Sequence, residues 1–532
     1  MSIRPCRAVT AAAVLACCAG IAQSAIEVIF SRANGASSIV PGAADAAGNP
    51  VIANFNTMPE FWLSPDGTRW ILRATTNQPT AESDNVVLLG GGTTGSVYLQ
   101  EGRPFPGAVG AEVMDFASSL VGRPFNANNE WAFSLRSKGG ATSTFNKIIR
   151  VDSAGVGTLR FQMGDLYTGM VDTNASGDET IGNSTASVHL RNNGVIGWHD
   201  LNPGNLHSSR YPVTAYDAIR HYQANAEFVT TIDDTGPIPL SGISSTGTVS
   251  TFLTSPDGTR VVVRGKVDTN FNGNSTGDPD CVVVDGRVVA QVGLPLPGDA
   301  NLTVSALHQT SVAPNNDWYM RGITASAAWA VRNGVVIAKS GDSVGGHAWG
   351  TATFFTIGGN SNGDWVLAGK TTNPDVSSDD VLVVNGQVIL REGDPVSVDL
   401  DNDGVLDTAY VGRGNNTLAA FAANNSVGIA PDGTVYVLAM LRTEGGADVA
   451  PAGTPASLLR ITPGTTPTCG TADFDGDGDT GTDADIEAFF ACLAGSCCAT
   501  CWQLGADFNG DGDVGTDADI ESFFRVLAGG EC

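Results

Sequence analysis

Two short segments near the C-terminus carry the residues with the clearest chemistry. They begin at Asp473 and Asp507, repeat at an offset of 34 residues (507 − 473 = 34), and both follow the pattern D-x-[DN]-x-D-G-D. A hard cation such as calcium needs six to eight oxygen ligands, and carboxylates or amides at alternate loop positions supply them. The pattern therefore predicts two calcium loops. The predicted ligands are Asp473, Asp475, Asp477, Asp479 and Asp485 in the first loop, and Asp507, Asn509, Asp511, Asp513 and Asp519 in the second.

The end of each loop departs from the usual EF-hand pattern. Alanine occupies position 12, where an acid normally closes the loop. We interpret this as a one-residue insertion, which makes Asp485 and Asp519 the closing ligands. Asp483 and Asp517 are the alternatives.

An amphipathic segment follows each loop directly. The spacing predicts helices over Ile486–Leu493 and Ile520–Leu527, with the pairs Phe489-Phe490 and Phe523-Phe524 facing a small core. A threonine precedes each predicted helix and an acid follows three residues later, which is a typical capping box.

Two loop–helix units in tandem, without the entering helix of a full EF-hand, resemble a type I dockerin. The cysteine-bearing form that ends in Gly-Gly-Glu-Cys is similar to the tails of planctomycete-type proteins described as GC-type dockerin domain-anchored proteins. The resemblance implies calcium binding and attachment to a cohesin-like or cell-surface protein. Residues near loop positions 10 and 11 contact cohesin in dockerins, and Thr482-Asp483 and Thr516-Asp517 match them here.

Net charge limits the possible partners. The chain carries a formal charge of −27, which argues against nucleic acid because phosphates would be repelled. Residues 469–532 contain 14 acidic residues and one arginine (1 − 14 = −13), so nearly half of the charge lies in the tail. This crowding favours a tail that folds around cations.

The N-terminus is typical of a signal peptide. Arg4 and Arg7 precede a short apolar run, and small residues stand at the predicted cleavage site before Ala25. The sequence therefore predicts an extracellular or cell-surface protein without a transmembrane segment. Cys17 lies in a stretch that resembles a lipoprotein box, so lipid anchoring is an alternative.

Cysteines concentrate in the tail. Six lie there (Cys469, Cys492, Cys497, Cys498, Cys501 and Cys532), and Cys281 stands alone in the body. In an exported module this usage predicts disulfides, whose pairing the sequence leaves open. A zinc site around Cys498-x-x-Cys501 is the alternative.

A loose repeat runs through residues 25–462. An Asp-Gly or Asn-Gly type of turn leads into an apolar strand in about seven copies, including Ser64-Pro65-Asp66-Gly67 and Ser255-Pro256-Asp257-Gly258. Many copies contain a second hairpin, as at Asn385-Gly386, and Glu101-Gly102 and Glu392-Gly393 stand where such hairpins end.

Two hairpins make four strands, which is the content of one propeller blade. We therefore predict a mainly β protein: a propeller-like domain of about seven four-stranded units over 25–462, a linker at 463–468, and an α-helical EF-hand-like domain over 469–532. The repeats resemble the tandem β units of exported bacterial propeller-like proteins. A β-sandwich array is the alternative.

The body contains one further candidate for calcium. Asp399, Asp401, Asp403 and Asp407 follow the pattern D-x-D-x-D-G-x-x-D, which is typical of calcium loops in repeat proteins.

The sequence predicts no catalytic residue. We expect a non-catalytic exported protein whose body binds a ligand. A glycan is one candidate, bound through exposed tryptophans among Trp62, Trp70, Trp131 and Trp365. The alternative is a dockerin-borne carbohydrate-active enzyme that hydrolyses polysaccharides. Two carboxylates in a central cleft would favour the enzyme, and a cleft without them would favour binding.

Overall fold

The computed structural model divides the chain into two compact units, one of residues Ile26–Thr462 and one that contains the C-terminal region. It describes residues 25–462 except 34, 46, 79–82, 118–124, 167–179, 183–184, 201–248, 267–276, 278, 286, 353, 416–417 and 451–454, and residues 470–528 except 499, 502–504 and 509–513. The predicted signal peptide and linker lie outside these residues. No helix in the described part is long and apolar enough to cross a membrane.

Seven sheets form the blades of the large unit, six with four strands and one with two described strands. The strands of blades 1 and 2 are β2 (Phe55–Leu63), β3 (Trp70–Thr76), β4 (Asn85–Gly91), β5 (Thr94–Gln100), β6 (Val113–Ala117), β7 (Trp131–Lys138), β8 (Asn146–Val151) and β9 (Gly157–Gln162). Blades 3 and 4 contain β10 (Thr185–Leu190), β11 (Ile196–Asp200), β12 (Val249–Thr254), β13 (Val261–Lys266), β14 (Asp280–Val284) and β15 (Arg287–Gln291).

The remaining three blades continue the same strand order. They contain β18 (Ala306–Val312), β19 (Trp318–Ile323), β20 (Ala328–Arg332), β21 (Val335–Lys339), β24 (Thr356–Gly359), β25 (Trp365–Lys370), β26 (Asp380–Val384), β27 (Gln387–Arg391), β30 (Val427–Ile429), β31 (Val435–Ala439), β33 (Ser457–Thr462) and β1 (Ala25–Ser31). Shorter strands between blades are β16 (Pro295–Leu296), β17 (Asp299–Thr303), β22 (Ser343–Val344), β23 (His347–Ala348), β28 (Pro395–Val398), β29 (Asp407–Val411) and β32 (Leu441–Thr443).

The ring of blades is closed by the two ends of the large unit. Blade 7 has the strand order β1-β33-β31-β30, so the most N-terminal strand completes the most C-terminal sheet. The first strands of blades 3 to 7 pack on one another in order, and β30 of blade 7 contacts β2 of blade 1. Blade 2 contacts blade 1 through β6 against β4 and β5, and it contacts blade 3 through β7 against β10. Closure leaves each blade with two neighbours, and the predicted propeller-like fold is confirmed.

The repeated turns connect neighbouring blades as well as strands. Asp66 Oδ1 accepts hydrogen bonds from the Ser64 hydroxyl (2.7 Å) and the Thr68 N–H (3.0 Å), which holds the turn between β2 and β3. Its Oδ2 accepts one from Asn129 of blade 2 at 2.6 Å, and Asn316 makes the equivalent contact to Asp257 at 2.9 Å. The repeated turn found in the sequence therefore serves to hold the strands of a blade and to join neighbouring blades.

The second hairpins use two-residue turns. Asn385 and Gly386 have φ angles of +50° and +87° between β26 and β27, and Asn333 and Gly334 repeat this at +50° and +83°. Positive φ at both positions matches the right-handed twist of the strands, which explains the Asn-Gly pairs.

The only free cysteine among the described residues, Cys281, is fully buried in β14, and burial raises the pKa of its thiol.

His189 of β10 is fully buried, with Nδ1 donating to the Ser187 carbonyl at 2.9 Å. Burial lowers its pKa to about 3, against the opposing effect of that hydrogen bond. The unfolded chain therefore takes up a proton below pH 6.5 that the folded protein does not, so stability is present above pH 6.5 and falls as the pH decreases towards 3. Between pH 7 and 5, we expect wild type to lose about 2 kcal/mol more than His189→Gln in urea unfolding. Equal losses would contradict this assignment.

Candidate cation loops and the central cavity

The first tail loop brings three of its predicted ligands together. Oxygen atoms of Asp473, Asp475 and Asp485 lie within 4.8 Å of one another. Asp473 Oδ1 is buried and accepts no hydrogen bond, so it is available to a cation. The carboxylates of Asp477 and Asp479 are not in this group, and Asp477 Oδ1 accepts the N–H of Asp479 at 2.8 Å.

Backbone hydrogen bonds shape this loop. The N–H of Gly478 donates to Asp473 Oδ2 at 3.2 Å, which joins positions 6 and 1 of the loop. Gly478 has a φ of +95°, a conformation that glycine adopts without strain, and this explains glycine at position 6. Asp475 Oδ1 accepts the N–H of Asp477 at 3.1 Å.

Asp485 joins the loop to helix α1 (Asp483–Leu493). Its Oδ1 accepts the N–H of Phe474 at 2.7 Å, while its Oδ2 accepts the N–H and the hydroxyl of Thr482 at 2.8 and 2.9 Å. Burial acts to raise the pKa of Asp485, but these hydrogen bonds outweigh burial and lower it. Asp485 is fully buried, whereas Asp483 is exposed at the first turn of the helix. Of the two candidates for closing the loop, the structure places Asp485 beside the predicted ligands Asp473 and Asp475.

The described part of the second loop has the same structure at its end as the first loop. Helix α2 (Asp517–Leu527) begins with the same capping box, in which Asp519 Oδ2 accepts the N–H and the hydroxyl of Thr516 at 2.8 and 2.9 Å. Asp519 is fully buried and Asp507 nearly so. Asn509, Asp511 and Asp513 lie outside the described residues.

A small aromatic core holds the two loop–helix units together. Phe474, Phe489, Phe508 and Phe523 are buried, and the rings of Phe489 and Phe523 stack with centroids 4.1 Å apart. The expectation that both residues of each Phe pair enter the core was wrong. Phe490 and Phe524 are each 45% exposed, because adjacent residues on a helix point about 100° apart.

Four tail cysteines form two disulfides, Cys492–Cys497 and Cys498–Cys501. The disulfide interpretation is therefore confirmed for these residues, and the pair considered for zinc is bonded instead. Cys469 and Cys532 lie outside the described residues.

The body loop at Asp399 has the same local hydrogen bonds as the first tail loop. The Gly404 N–H donates to Asp399 Oδ2 at 3.2 Å, as Gly478 does to Asp473. Asp407 Oδ2 accepts the N–H of Leu400 at 2.8 Å, which is the role of Asp485 in the tail. Oxygens of Asp399, Asp401 and Asp407 lie within 4.8 Å of one another. Asp403 is exposed, and its Oδ1 accepts the N–H of Val405 at 2.7 Å.

A cavity of about 70 Å³ lies where the first strands of five blades converge. Its lining includes Trp62, Gln309, Thr310, Thr356 and Asn425. Trp62 Nε1 and the hydroxyls of Thr310 and Thr356 belong to residues of this lining and are buried without a hydrogen-bond partner. None of the described residues that line it is Asp or Glu.

The other tryptophans that we considered for sugar binding are placed differently. Trp70 and Trp131 are fully buried in blade cores, and Trp365 is half-buried at the start of β25. Trp62 is the one of the four that lines the central cavity.

No known protein family and no curated protein matches this chain. Among solved structures, the Dos1 propeller is similar over 76% of this chain and 92% of its own length, with 10% identity and a TM-score of 0.27. A sialidase of Trypanosoma rangeli is similar over 82% and 59%, with 11% identity and a TM-score of 0.31. A catalytically inactive virginiamycin B lyase of Staphylococcus aureus is similar over 76% and 95%, with 10% identity and a TM-score of 0.29.

Proposed function

We propose that this chain is an exported, non-catalytic calcium-binding protein. In this proposal a dockerin-like tail attaches a ligand-binding propeller to a cohesin-like or cell-surface protein. The observation that carries the proposal is the cluster of three carboxylates, from Asp473, Asp475 and Asp485, at the start of α1. A loop of this geometry concentrates negative charge that a calcium ion would neutralise. The duplicated capping box at Asp519 supports a second loop of the same kind.

Calcium binding can be tested on the full chain by calorimetry. We expect heat of binding when Ca²⁺ is titrated into protein that was first treated with EGTA. We also expect an immobilised cohesin module to capture the protein in calcium and to release it in EGTA. An absence of binding heat would end the calcium proposal, whereas binding heat without capture would contradict only the cohesin-like partner.

The central cavity supports a binding role for the body. Indole, hydroxyl and amide groups suit an uncharged polar ligand, and Trp62 is the lining residue on which a sugar ring would stack. Glycoside hydrolysis needs two carboxyl groups beside the substrate, and the described lining has none. We therefore favour glycan binding over the alternative of a carbohydrate-active enzyme.

Replacing Trp62 tests this role. We expect Trp62→Ala to lose at least about tenfold in affinity for any glycan that the wild-type chain binds on a glycan array, because stacking of this kind contributes on the order of 1.5 kcal/mol. Trp365→Ala is a matched control, since Trp365 is also half-buried but does not line the cavity. Equal losses in both variants would contradict the placement of the ligand in this cavity.

A further inference from the structure

Blade 6 contains a cluster of three carboxylates that belongs neither to the calcium loops nor to the central cavity. Asp379, Asp380 and Glu392 are 2%, 0% and 1% exposed, and an oxygen atom of each lies within 4.8 Å of the others. Charged carboxylates are seldom buried unless they are paired or bind a metal. This cluster therefore needs a physical explanation.

Strand pairing brings these residues together. Asp380 begins β26, Glu392 follows the end of β27, and the Glu392 N–H donates to the Asp380 carbonyl at 2.8 Å. Gly412 packs directly over the glutamate, because a Cβ at that position would lie 2.8 Å from Glu392 Cγ and Oε1.

One ammonium group neutralises only part of the charge. Lys370 Nζ lies 2.6 Å from Asp379 Oδ2 and 3.9 Å from Asp380 Oδ1. Asp380 Oδ2 accepts the N–H of Ala420 at 2.7 Å. Asp380 Oδ1 and both carboxylate oxygens of Glu392 are buried and accept no hydrogen bond. Three buried acceptor atoms of this cluster thus lack a hydrogen-bond donor, and an uncompensated buried charge costs several kcal/mol.

The charged form of Glu392 is disfavoured by its surroundings. Burial, together with the charges of Asp380 and Asp379, raises the pKa of Glu392 to about 8, although Arg442 and Lys370 act in the opposite direction. The alternative way to neutralise Glu392 is a proton, and the experiment below separates the two.

Blade 1 has acidic residues at equivalent positions, but there an asparagine amide donates hydrogen bonds to them. Glu101 and Asn85 occupy the positions of Glu392 and Asp380, since the Glu101 N–H donates to the Asn85 carbonyl at 2.9 Å. The Asn85 amide donates to Asp84 at 2.9 Å and to Glu101 at 3.2 Å, and Lys138 Nζ lies 3.1 Å from Glu101 Oε1. In blade 6 an aspartate replaces this asparagine, so an acceptor stands where blade 1 has a donor.

Solvent reaches the edge of the cluster. Glu392, together with Tyr410 and Arg442, lines an open surface pocket of about 550 Å³ between blade 6 and the strands at 407–411 and 441–443. Glu392 is therefore the member of the cluster that borders this pocket.

We propose that Asp379, Asp380 and Glu392 bind a hard divalent cation, with Ca²⁺ as the ion that an all-oxygen carboxylate set of this kind prefers. The ion occupies the position that the Asn85 amide fills in blade 1 and ties the β26–β27 hairpin to the segment at Gly412. This site lies in the propeller and does not depend on the proposed function of the tail.

The test counts Ca²⁺ bound per full-length chain by equilibrium dialysis. We expect Glu392→Gln and Asp380→Asn to bind one ion fewer than wild type, and Glu101→Gln to bind the wild-type number. Asp380→Asn recreates the blade 1 arrangement, so it is expected to fold and to keep its melting temperature when EGTA is added. Circular dichroism confirms folding of each variant.

The outcomes separate this site from the tail. If both blade 6 variants are folded and bind as many ions as wild type, the proposal is overturned and Glu392 is neutralised by a proton. Asp485→Ala removes an ion from the tail loop and is expected to leave the blade 6 ion in place. A loss confined to Asp485→Ala would therefore support the tail site and contradict this one.

Discussion

Asp485→Ala is expected to abolish calcium binding by the first tail loop and to unfold helix α1. The variant removes a buried carboxylate that accepts hydrogen bonds from Phe474 and Thr482, and it also removes the side chain that closes the loop. Loss of such a network leaves buried donors unsatisfied and costs on the order of 3–5 kcal/mol. A domain of about 60 residues has a small core, so this loss is comparable to its total stability.

The measurement is far-UV circular dichroism and Ca²⁺ calorimetry on the full chain. Helices α1 and α2 are the only α-helices in the described residues, so loss of helical signal reports on the tail. Asp483→Ala is the matched control, since it removes the same charge two residues earlier from an exposed position. We expect it to change stability by less than about 1 kcal/mol. Full calcium binding by Asp485→Ala would refute the assignment of the closing ligand.

Removal of calcium is expected to act in the same direction. The tail carries a net charge of −13 (1 − 14) over residues 469–532, and its described core consists mainly of four phenylalanine rings. Two short disulfides hold the chain near the end of α1 but do not neutralise the loops. Excess EGTA should therefore abolish the helical signal even with the disulfides intact. A helical signal that survives EGTA would show that the loops do not need the ion.

Loss of β1 is expected to open the propeller. Residues 25–31 form the outer strand of blade 7. The ring centroid of Phe30 lies 4.9 Å from that of Phe55 and 5.8 Å from that of Trp70 in the adjoining core. Deletion of this strand exposes the β33 edge and part of that core to water. The deleted chain should lose cooperative unfolding. Phe30→Ala alone is expected to destabilise by about 3–5 kcal/mol, because it leaves a cavity among aromatic rings.

Glu27 is the control for this experiment because it lies on the same strand. Its carboxylate is 46% exposed and lies 2.5 Å from Arg460 on β33. An exposed ion pair of this kind contributes about 0–1 kcal/mol, so Glu27→Ala should unfold at nearly the wild-type urea concentration. If Phe30→Ala were as stable as Glu27→Ala, closure through β1 would not be a main source of stability.

Local motifs could be predicted where their structure depends on residues that are close together in the chain. The loops at Asp473 and Asp399 were found from spacing, since their hydrogen bonds join residues within a few positions of each other. The blade turns were found for the same reason, because Asp-Gly and Asn-Gly provide the required positive φ angles. The sequence did not decide whether Asp485 or Asp483 closes the loop, because both acids follow the loop closely. The position at which helix α1 begins makes Asp485 buried and Asp483 exposed.

The blade 6 cluster shows what required the tertiary structure. Glu392-Gly393 was visible as a repeated hairpin end, but its approach to Asp379 and Asp380 depends on the register of β26 with β27 and on the packing of Gly412. The central cavity likewise combines first strands that are distant in the chain. The amino-acid sequence alone was enough to predict the repeated β units, their turns and the acidic loops, since these depend on local conformation and hydrogen bonding. Ring closure through β1, the cavity and the buried carboxylates were decided by long-range packing, which no local pattern encodes.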